Sequence, residues 1–230
     1  MAVQRSRAAG LLACVVAAVA LAVRGAPASR MLVLVTAYWQ VGGAALIALL
    51  WWQRRAARVL VFLLLCLAIW AGWDGIVSSL AFSVALAFYI DFLNHIATPL
   101  TRLRRWVGTA AFTLDGAAAL CLMLPVPATL SHATLVVLDV VVVICSGLAI
   151  TSARDQRSLA LWTLLPVVCF ATVVTLEDIA ALMAIAWVSA ESFEKIQCAI
   201  AFTLPVCFAA GLRNQAATLQ ERAAAGESTR

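Results

Sequence analysis

The sequence predicts an all-α membrane protein, a polytopic bundle of seven transmembrane helices preceded by a signal peptide or an eighth helix. Hydrophobic residues make up 65% of the chain and charged residues only 12%, whereas about a quarter of a soluble domain is charged. The hydrophobic residues form blocks of about 20, the length a helix needs to cross a bilayer. No block alternates apolar and polar residues as barrel strands do, so the blocks are expected to be helices.

The apolar blocks divide the chain into three parts. Residues 1–28 combine a basic start, a short apolar run and small residues around Pro27, which is typical of a signal peptide and equally of a retained first helix. Residues 29–213 form the membrane domain, and residues 214–230 form a polar cytoplasmic tail. The seven predicted spans are 31–53, 58–79, 80–101, 107–128, 131–152, 158–176 and 176–212, with the second and third separated near Ser78.

The placement of arginine predicts the orientation. Arginines occupy every second predicted loop and follow the last helix, whereas the alternate loops carry no basic residue. Basic residues stay in short cytoplasmic loops, so we expect a protein of a bacterial inner membrane whose seven-helix core starts outside and ends in the cytoplasm. The lipid bilayer is the expected partner. Nucleic acid is not, because the charges lie in small groups at block ends. The arginines are Arg54, Arg55, Arg58, Arg102, Arg104, Arg105, Arg154, Arg157, Arg213 and Arg222.

Metal and enzyme chemistry find no support in the residue pattern. The seven cysteines lie within apolar blocks and form no Cys-x-x-Cys pair, so we interpret them as packing residues. The two histidines, His95 and His132, are too few for a multi-histidine metal centre. Hydrolase, metalloprotease and nucleotide-binding motifs are absent from the sequence. We therefore expect no metal and no enzyme.

The chain's one lysine carries the functional hypothesis. Of the 16 basic residues, only Lys195 is not arginine, and it lies near the middle of the last apolar segment. Charges at bilayer depth are costly and usually functional. A desolvated lysine amine can lose its proton and attack a carbonyl, which a guanidinium cannot do. Lys195 is therefore predicted to form a Schiff base, with Glu191, one turn earlier on the same helix face, as its counter-ion.

A second interpretation of the same segment stays open. Residues 189–195 would then be a polar loop between two short helices, 179–188 and 196–212. The first of these would be too short to cross a bilayer. Thr175, followed by two acidic residues, is typical of a helix start, and it favours one long helix from Thr175 to Leu212.

Two residues of the preceding predicted helix extend the pattern. Pro166 is expected to kink that helix, and Trp162 one turn earlier offers a large flat surface. Over residues 158–200, Trp-x-x-x-Pro followed by Glu-x-x-x-Lys resembles the sixth and seventh helices of microbial (type 1) rhodopsins. The resemblance implies all-trans retinal bound to Lys195 as cofactor, with Trp162 packed against the polyene and Glu191 in place of the family's aspartate.

The chain departs from the rhodopsin pattern elsewhere. Leu165 replaces the tyrosine before the family's proline, and the third-helix motif survives only around Asp91. Asp91 is nevertheless the candidate third-helix counter-ion or proton acceptor, with His95 one turn away. A purely structural hydrogen-bonded pair is an equal alternative. We interpret Asp115 and Asp139 as polar residues that bridge neighbouring helices.

These observations lead to one function and two alternatives. The leading prediction is a retinal-binding, rhodopsin-like protein, either a light-driven ion pump or a photosensor. The first alternative is a non-enzymatic sensory or input module, because residues 212–222 resemble the helical exit of sensor kinases and would need a cytoplasmic signalling partner. The second is a small-solute transporter that uses Asp91, Glu191 and Lys195, although no inverted repeat supports it. Homo-oligomerisation and cleavage of residues 1–28 are left open.

Overall fold

The computed structural model describes residues 28–72, 76–96, 127–153, 156–184 and 190–227, and these form six α-helices without a strand. Five of the described helices are long and apolar enough to cross a membrane, and the third contains a shorter apolar stretch, Leu80–Ile96. The all-α class is confirmed. The helices are α1 (Ala28–Trp51), α2 (Arg55–Gly72), α3 (Ile76–Ile96), α4 (Ala128–Ser152), α5 (Arg157–Leu182) and α6 (Ala190–Glu227).

The helix count and one border differ from the sequence prediction. The described residues form six helices where seven or eight are predicted. The N-terminal segment 1–27 and nearly all of the predicted span 107–128 lie outside them. The predicted border near Ser78 is wrong, because α2 ends at Gly72 and α3 begins at Ile76. The Ser78 hydroxyl donates to the carbonyl of Trp70, 3.1 Å away, so this polar group joins α2 to α3 instead of separating two helices.

A single helix from Thr175 to Leu212 is likewise wrong. The fifth helix continues to Leu182, and α6 begins at Ala190. The Thr175 hydroxyl donates to the Ala171 carbonyl of its own helix at 2.8 Å, so Thr175 is an interior residue and not an N-cap. The alternative loop at 189–195 is also wrong, because all but the first of these residues form the first turns of α6.

The helices pack in chain order, and the first also packs against the last. Helix α1 contacts α2 and α6, α2 contacts α3, α4 contacts α5, and α5 contacts α6, whereas α3 and α4 touch only sparsely. Two contacts show that α1 and α6 run parallel. The Trp39 and Phe202 rings stack with centroids 4.8 Å apart, and Gly43 lies against Pro205 one turn further along.

The two ends of the bundle carry opposite charges. The basic end holds the starts of α2 and α5 and the outward continuation of α6. The acidic end holds the start of α4, the end of α5 and the start of α6. The basic end is defined by Arg54, Arg55, Arg58, Arg157 and Arg213, and the acidic end by His132, Glu177, Asp178, Glu194 and Gln197.

Gly43 is predicted to control the approach of α1 to α6. A Cβ atom at position 43 would overlap the Pro205 ring, whose Cγ would be 2.8 Å away. We expect Gly43→Ala to lower the free energy of unfolding by about 1–3 kcal/mol, because the two backbones would have to separate. The control is Gly147→Ala on α4, where a Cβ meets nothing within 4 Å and the higher helix propensity of alanine should raise the free energy of unfolding by up to about 1 kcal/mol. Denaturant unfolding in bicelles measures both, and equal effects would contradict the prediction.

Candidate functional site

A cavity of about 280 Å³ lies among the helices, and all six contribute to its wall. The wall is apolar apart from a few side chains, an arrangement typical of small-molecule binding sites. Its polar members are Gln40 of α1, Ser78 and Tyr89 of α3 and Asp139 of α4.

Three polar residues on α4 recur every seven positions. His132, Asp139 and Ser146 are each separated by about two helical turns, so they lie on the same helix face. Leu135 and Val142, which line the cavity, belong to the same stripe. The polar row on α4 therefore faces the interior of the bundle.

Both ends of this row are hydrogen-bonded to neighbouring helices. At the acidic end, Nδ1 of His132 lies 2.7 Å from Oδ1 of Asp178 on α5, whose side chain is almost completely buried. Towards the basic end, the Tyr89 and Ser146 hydroxyls hydrogen-bond each other between α3 and α4. The Ser146 hydroxyl also donates to the carbonyl of Val142, 2.8 Å away. These bonds fix the rotation of α4 about its axis.

Asp139, in the middle of the row, presents an acceptor without a partner. Its Oδ2 atom is buried and has no hydrogen-bond partner among the described residues. The same is true of Oε1 of Gln40, a residue only 3% exposed. Leaving a buried polar group unpaired costs about 1–3 kcal/mol, and such groups in native proteins call for an explanation. Because both residues line the cavity, a molecule bound there could supply the missing donors.

Carboxylates continue from the cavity to the acidic end. Asp139 lies two helical turns from His132, which contacts Asp178, and Glu177 immediately precedes Asp178 in α5. The Gln197 side chain donates to Glu177 and joins α6 to α5. These carboxylates form a zone of negative charge, and no group of three potential metal ligands occurs in the described ranges.

Lys195 lies at the acidic end, not in the middle of a membrane span. Because α6 begins at Ala190, Lys195 is in its second turn, and its side chain is exposed. Glu191 is in the first turn of the same helix, and its side chain lies outside what the structure describes. The predicted depth of Lys195 is therefore corrected by the position of the break before α6.

The other predicted site residues lie elsewhere in the bundle. Trp162 is 46% exposed and lies beside Gly211, which is about 24 Å further along α6 than Lys195. Pro166 is inside α5 and half-buried. Asp91 pairs with Arg55 at the basic end, with 3.3 Å between the charged atoms. Trp162 and Asp91 are thus at the opposite end from Lys195. The cavity lining includes none of these predicted site residues, which are Trp162, Pro166, Asp91 and Lys195.

The sequence pattern does not identify either of the two unpaired acceptors that line the cavity. It assigns Asp139 to a bridge between helices and gives Gln40 no role. The seven-residue spacing of His132, Asp139 and Ser146 is a signal that could have revealed the inward face of α4. Gln40, an isolated amide in the apolar block of α1, is a weaker signal of the same kind. Asp115 lies outside the described residues.

Comparison of this chain with protein-family models found no match, and comparisons with curated proteins and with solved structures found none either. The fold and the cavity define the class: an all-helical bundle whose long apolar helices surround an apolar cavity with two unpaired buried acceptors.

The Tyr89–Ser146 hydrogen bond is predicted to couple α3 to α4. Tyr89→Phe and Ser146→Ala should each lower the free energy of unfolding, and a double-mutant cycle should give an interaction energy of about 1 kcal/mol. Thr151→Ala serves as the control partner, because the Thr151 hydroxyl is exposed and bonds only to carbonyls of its own helix. Unfolding in bicelles measures the cycle, and equal coupling of Tyr89 to both positions would contradict the interpretation.

Proposed function

We propose that this chain is an integral membrane input module. A compact, largely apolar molecule binds in the central cavity, and α6 transmits the resulting change to a signalling partner in the cytoplasm. This is the first alternative raised by the sequence, and the cavity and the length of α6 support it better than the arrangement of the five predicted site residues supports retinal.

The continuity of α6 is the observation that carries the proposal. Ala201 and Leu204 of this helix line the cavity, and the helix then continues without interruption to Glu227, about 34 Å beyond Leu204. A helix of 38 residues is nearly twice the length needed to cross a bilayer. One continuous helix therefore joins the cavity wall to a segment beyond the bundle, where Leu219 is 50% exposed.

Pro205 is the position at which α6 can bend. A proline inside a helix removes one backbone hydrogen bond and weakens the helix locally. Pro205 follows the cavity residue Leu204 directly and packs against Gly43 of α1. A ligand that presses on this part of the wall would therefore act where α6 is most easily bent.

We also propose a seventh crossing and an orientation. Ile96 lies at the basic end, near the Arg55–Asp91 pair, whereas Ala128 lies at the acidic end, near the His132–Asp178 pair. The chain between them connects opposite ends of the bundle, which supports the crossing that the sequence predicts over residues 107–128. The clustering of described arginines at the basic end supports a cytoplasmic location for that end.

Hydrogen–deuterium exchange of the full chain in lipid nanodiscs tests the input function. Adamantan-1-amine and adamantan-1-ol are rigid apolar cages with one polar group, and each serves as a probe. We expect the probe that binds to change the exchange of peptides covering residues 213–227, because α6 links them to the cavity.

Ala201→Trp, which fills the cavity from α6, should abolish the effect of the probe. Ala199→Trp on the exposed side of the same helix is the matched control and should preserve it. Binding of a probe without any change over residues 213–227 would show a passive cavity and contradict the input module.

Retinal binding, proposed from the resemblance to microbial rhodopsins, stays a prediction. One observation favours it: Lys195 lies on α6, the helix that forms part of the cavity wall and then continues to Glu227. The transporter alternative gains no such support, since Asp91 and Lys195 lie at opposite ends of the bundle.

If retinal binds, adding all-trans retinal should produce a visible absorption band, and borohydride should fix one retinyl group to the peptide containing Lys195. Lys195→Ala and Lys195→Arg should both abolish the band, because neither side chain can condense with an aldehyde. A salt bridge would tolerate arginine in part, so the arginine variant separates the two roles. No band in folded protein would contradict retinal binding.

A further inference from the structure

Two unpaired acceptors on different walls of the cavity indicate which hydrogen-bonding groups a ligand must carry. Oε1 of Gln40 comes from α1 and Oδ2 of Asp139 from α4, and neither atom has a hydrogen-bond partner in the part of the chain that the structure describes. Gln40 is only 3% exposed, so water outside the bundle cannot donate a hydrogen bond to its Oε1 atom. An ionised carboxylate accepts hydrogen bonds and donates none. A complementary ligand must therefore carry N–H or O–H donors.

The carboxyl group of Asp139 favours a ligand with a positive charge. Among the described residues, no basic side chain lines the cavity, and a carboxylate in an apolar interior is stabilised mainly by an opposite charge. His132 contacts Oδ1 of the neighbouring carboxylate Asp178, whose Oδ2 atom is buried and also without a hydrogen-bond partner among the described residues. A neutral alcohol could donate one hydrogen bond to Asp139 but supplies no charge to stabilise the ionised form of this carboxyl. An ammonium group supplies both the donors and the charge.

The acidic end favours the approach of such a cation. Asp178, Glu177 and Glu194 lie at this end, with Asp139 further inside the bundle. Two basic side chains of the described residues, Arg30 and Lys195, are also at this end, and both are exposed. Clefts lined mainly by one sign of charge raise the local concentration of the opposite ion.

An aromatic wall suits the remainder of the molecule. Trp70, Phe82 and Phe170 all line the cavity. The Trp70 ring centroid lies 5.8 Å from that of Phe82 and 6.2 Å from that of Phe170. Such rings bury apolar surface and also attract cations to their faces. The wall therefore favours a compact hydrocarbon body that carries an ammonium group.

We infer that the central cavity is a binding site for a small organic cation, a primary or secondary amine with a compact apolar body, held by Asp139 and Gln40. This inference rests on the proposed function, because it specifies the chemistry of the ligand that the input module binds.

Adamantan-1-amine and adamantan-1-ol form a matched pair, since the cage is the same and only the amine is charged at neutral pH. Isothermal titration of the full chain in nanodiscs, with protein-free nanodiscs as the blank, gives the dissociation constant of each. We expect the amine to bind about tenfold more tightly or better, because hydrogen bonds to charged groups contribute about 1.5–3 kcal/mol.

Variants test which residues cause the tighter binding of the amine. Asp139→Asn should remove the advantage of the amine while changing the affinity for the alcohol little, and Asp139→Glu should keep part of the advantage. Gln40→Met, which keeps the volume but removes the acceptor, should weaken amine binding by a smaller factor. Asp91→Asn makes the same chemical change outside the cavity and should leave the preference intact. If Asp139→Asn does not fold, the Gln40 and Asp139→Glu variants still carry the test.

The outcomes separate this inference from the proposed function. Equal binding of amine and alcohol, unaltered by Asp139→Asn, would leave a ligand-binding input module but overturn its preference for cations. An amine preference that survives both Asp139→Asn and Gln40→Met would place the cation elsewhere and also overturn the inference. Failure of both probes to bind would count against ligand binding in the cavity itself, and so against the proposed function.

Discussion

The rotation of α4 about its own axis is the constraint on which the candidate site depends. It is fixed by two hydrogen-bonded contacts, His132 with Asp178 on α5 and Ser146 with Tyr89 on α3. These contacts lie about two turns on either side of Asp139. With both ends of the row held, Asp139 is directed into the cavity and not towards lipid. A small rotation would remove the carboxylate from the site and break both contacts together.

The cavity and the proposed output both depend on the contact between α1 and α6. Gln40 of α1 and Ala201 and Leu204 of α6 line the cavity, and Gly43 meets Pro205 immediately beyond them. Because this approach leaves no room for a side chain at position 43, a shift of one helix must move the other. A ligand that binds between the walls would thereby act on α6 at its proline, and a continuous helix would carry the motion outward.

The contrast between Lys195 and Asp139 shows where reasoning from hydropathy fails. Hydropathy alone places Lys195 in mid-membrane, because the apolar segments around it are long enough to form one helix. The break before Ala190 instead places it near a helix end, where a charge can reach water. The sequence pattern assigns Asp139 a structural role. In the structure it lies on α4 midway between His132 and Ser146, which form the hydrogen bonds to neighbouring helices, and its own side chain lines the cavity. The position of a helix break decides depth, and the rotation of a helix decides which polar residue faces the interior.

The sequence by itself determined the class of the fold: long apolar blocks require helices in lipid, and the arginines already marked the block ends that now form the basic end. These are properties of single segments, set by the local pattern. Tertiary structure alone decided that Gln40, Tyr89 and Asp139, far apart in the chain, line one cavity, and that Trp162 and Lys195 do not meet. The physical reason is that apolar residues cover nearly every face of these helices, so hydropathy cannot select the face that packs inward. Close contacts such as Gly43 with Pro205 and buried hydrogen bonds between helices select it instead.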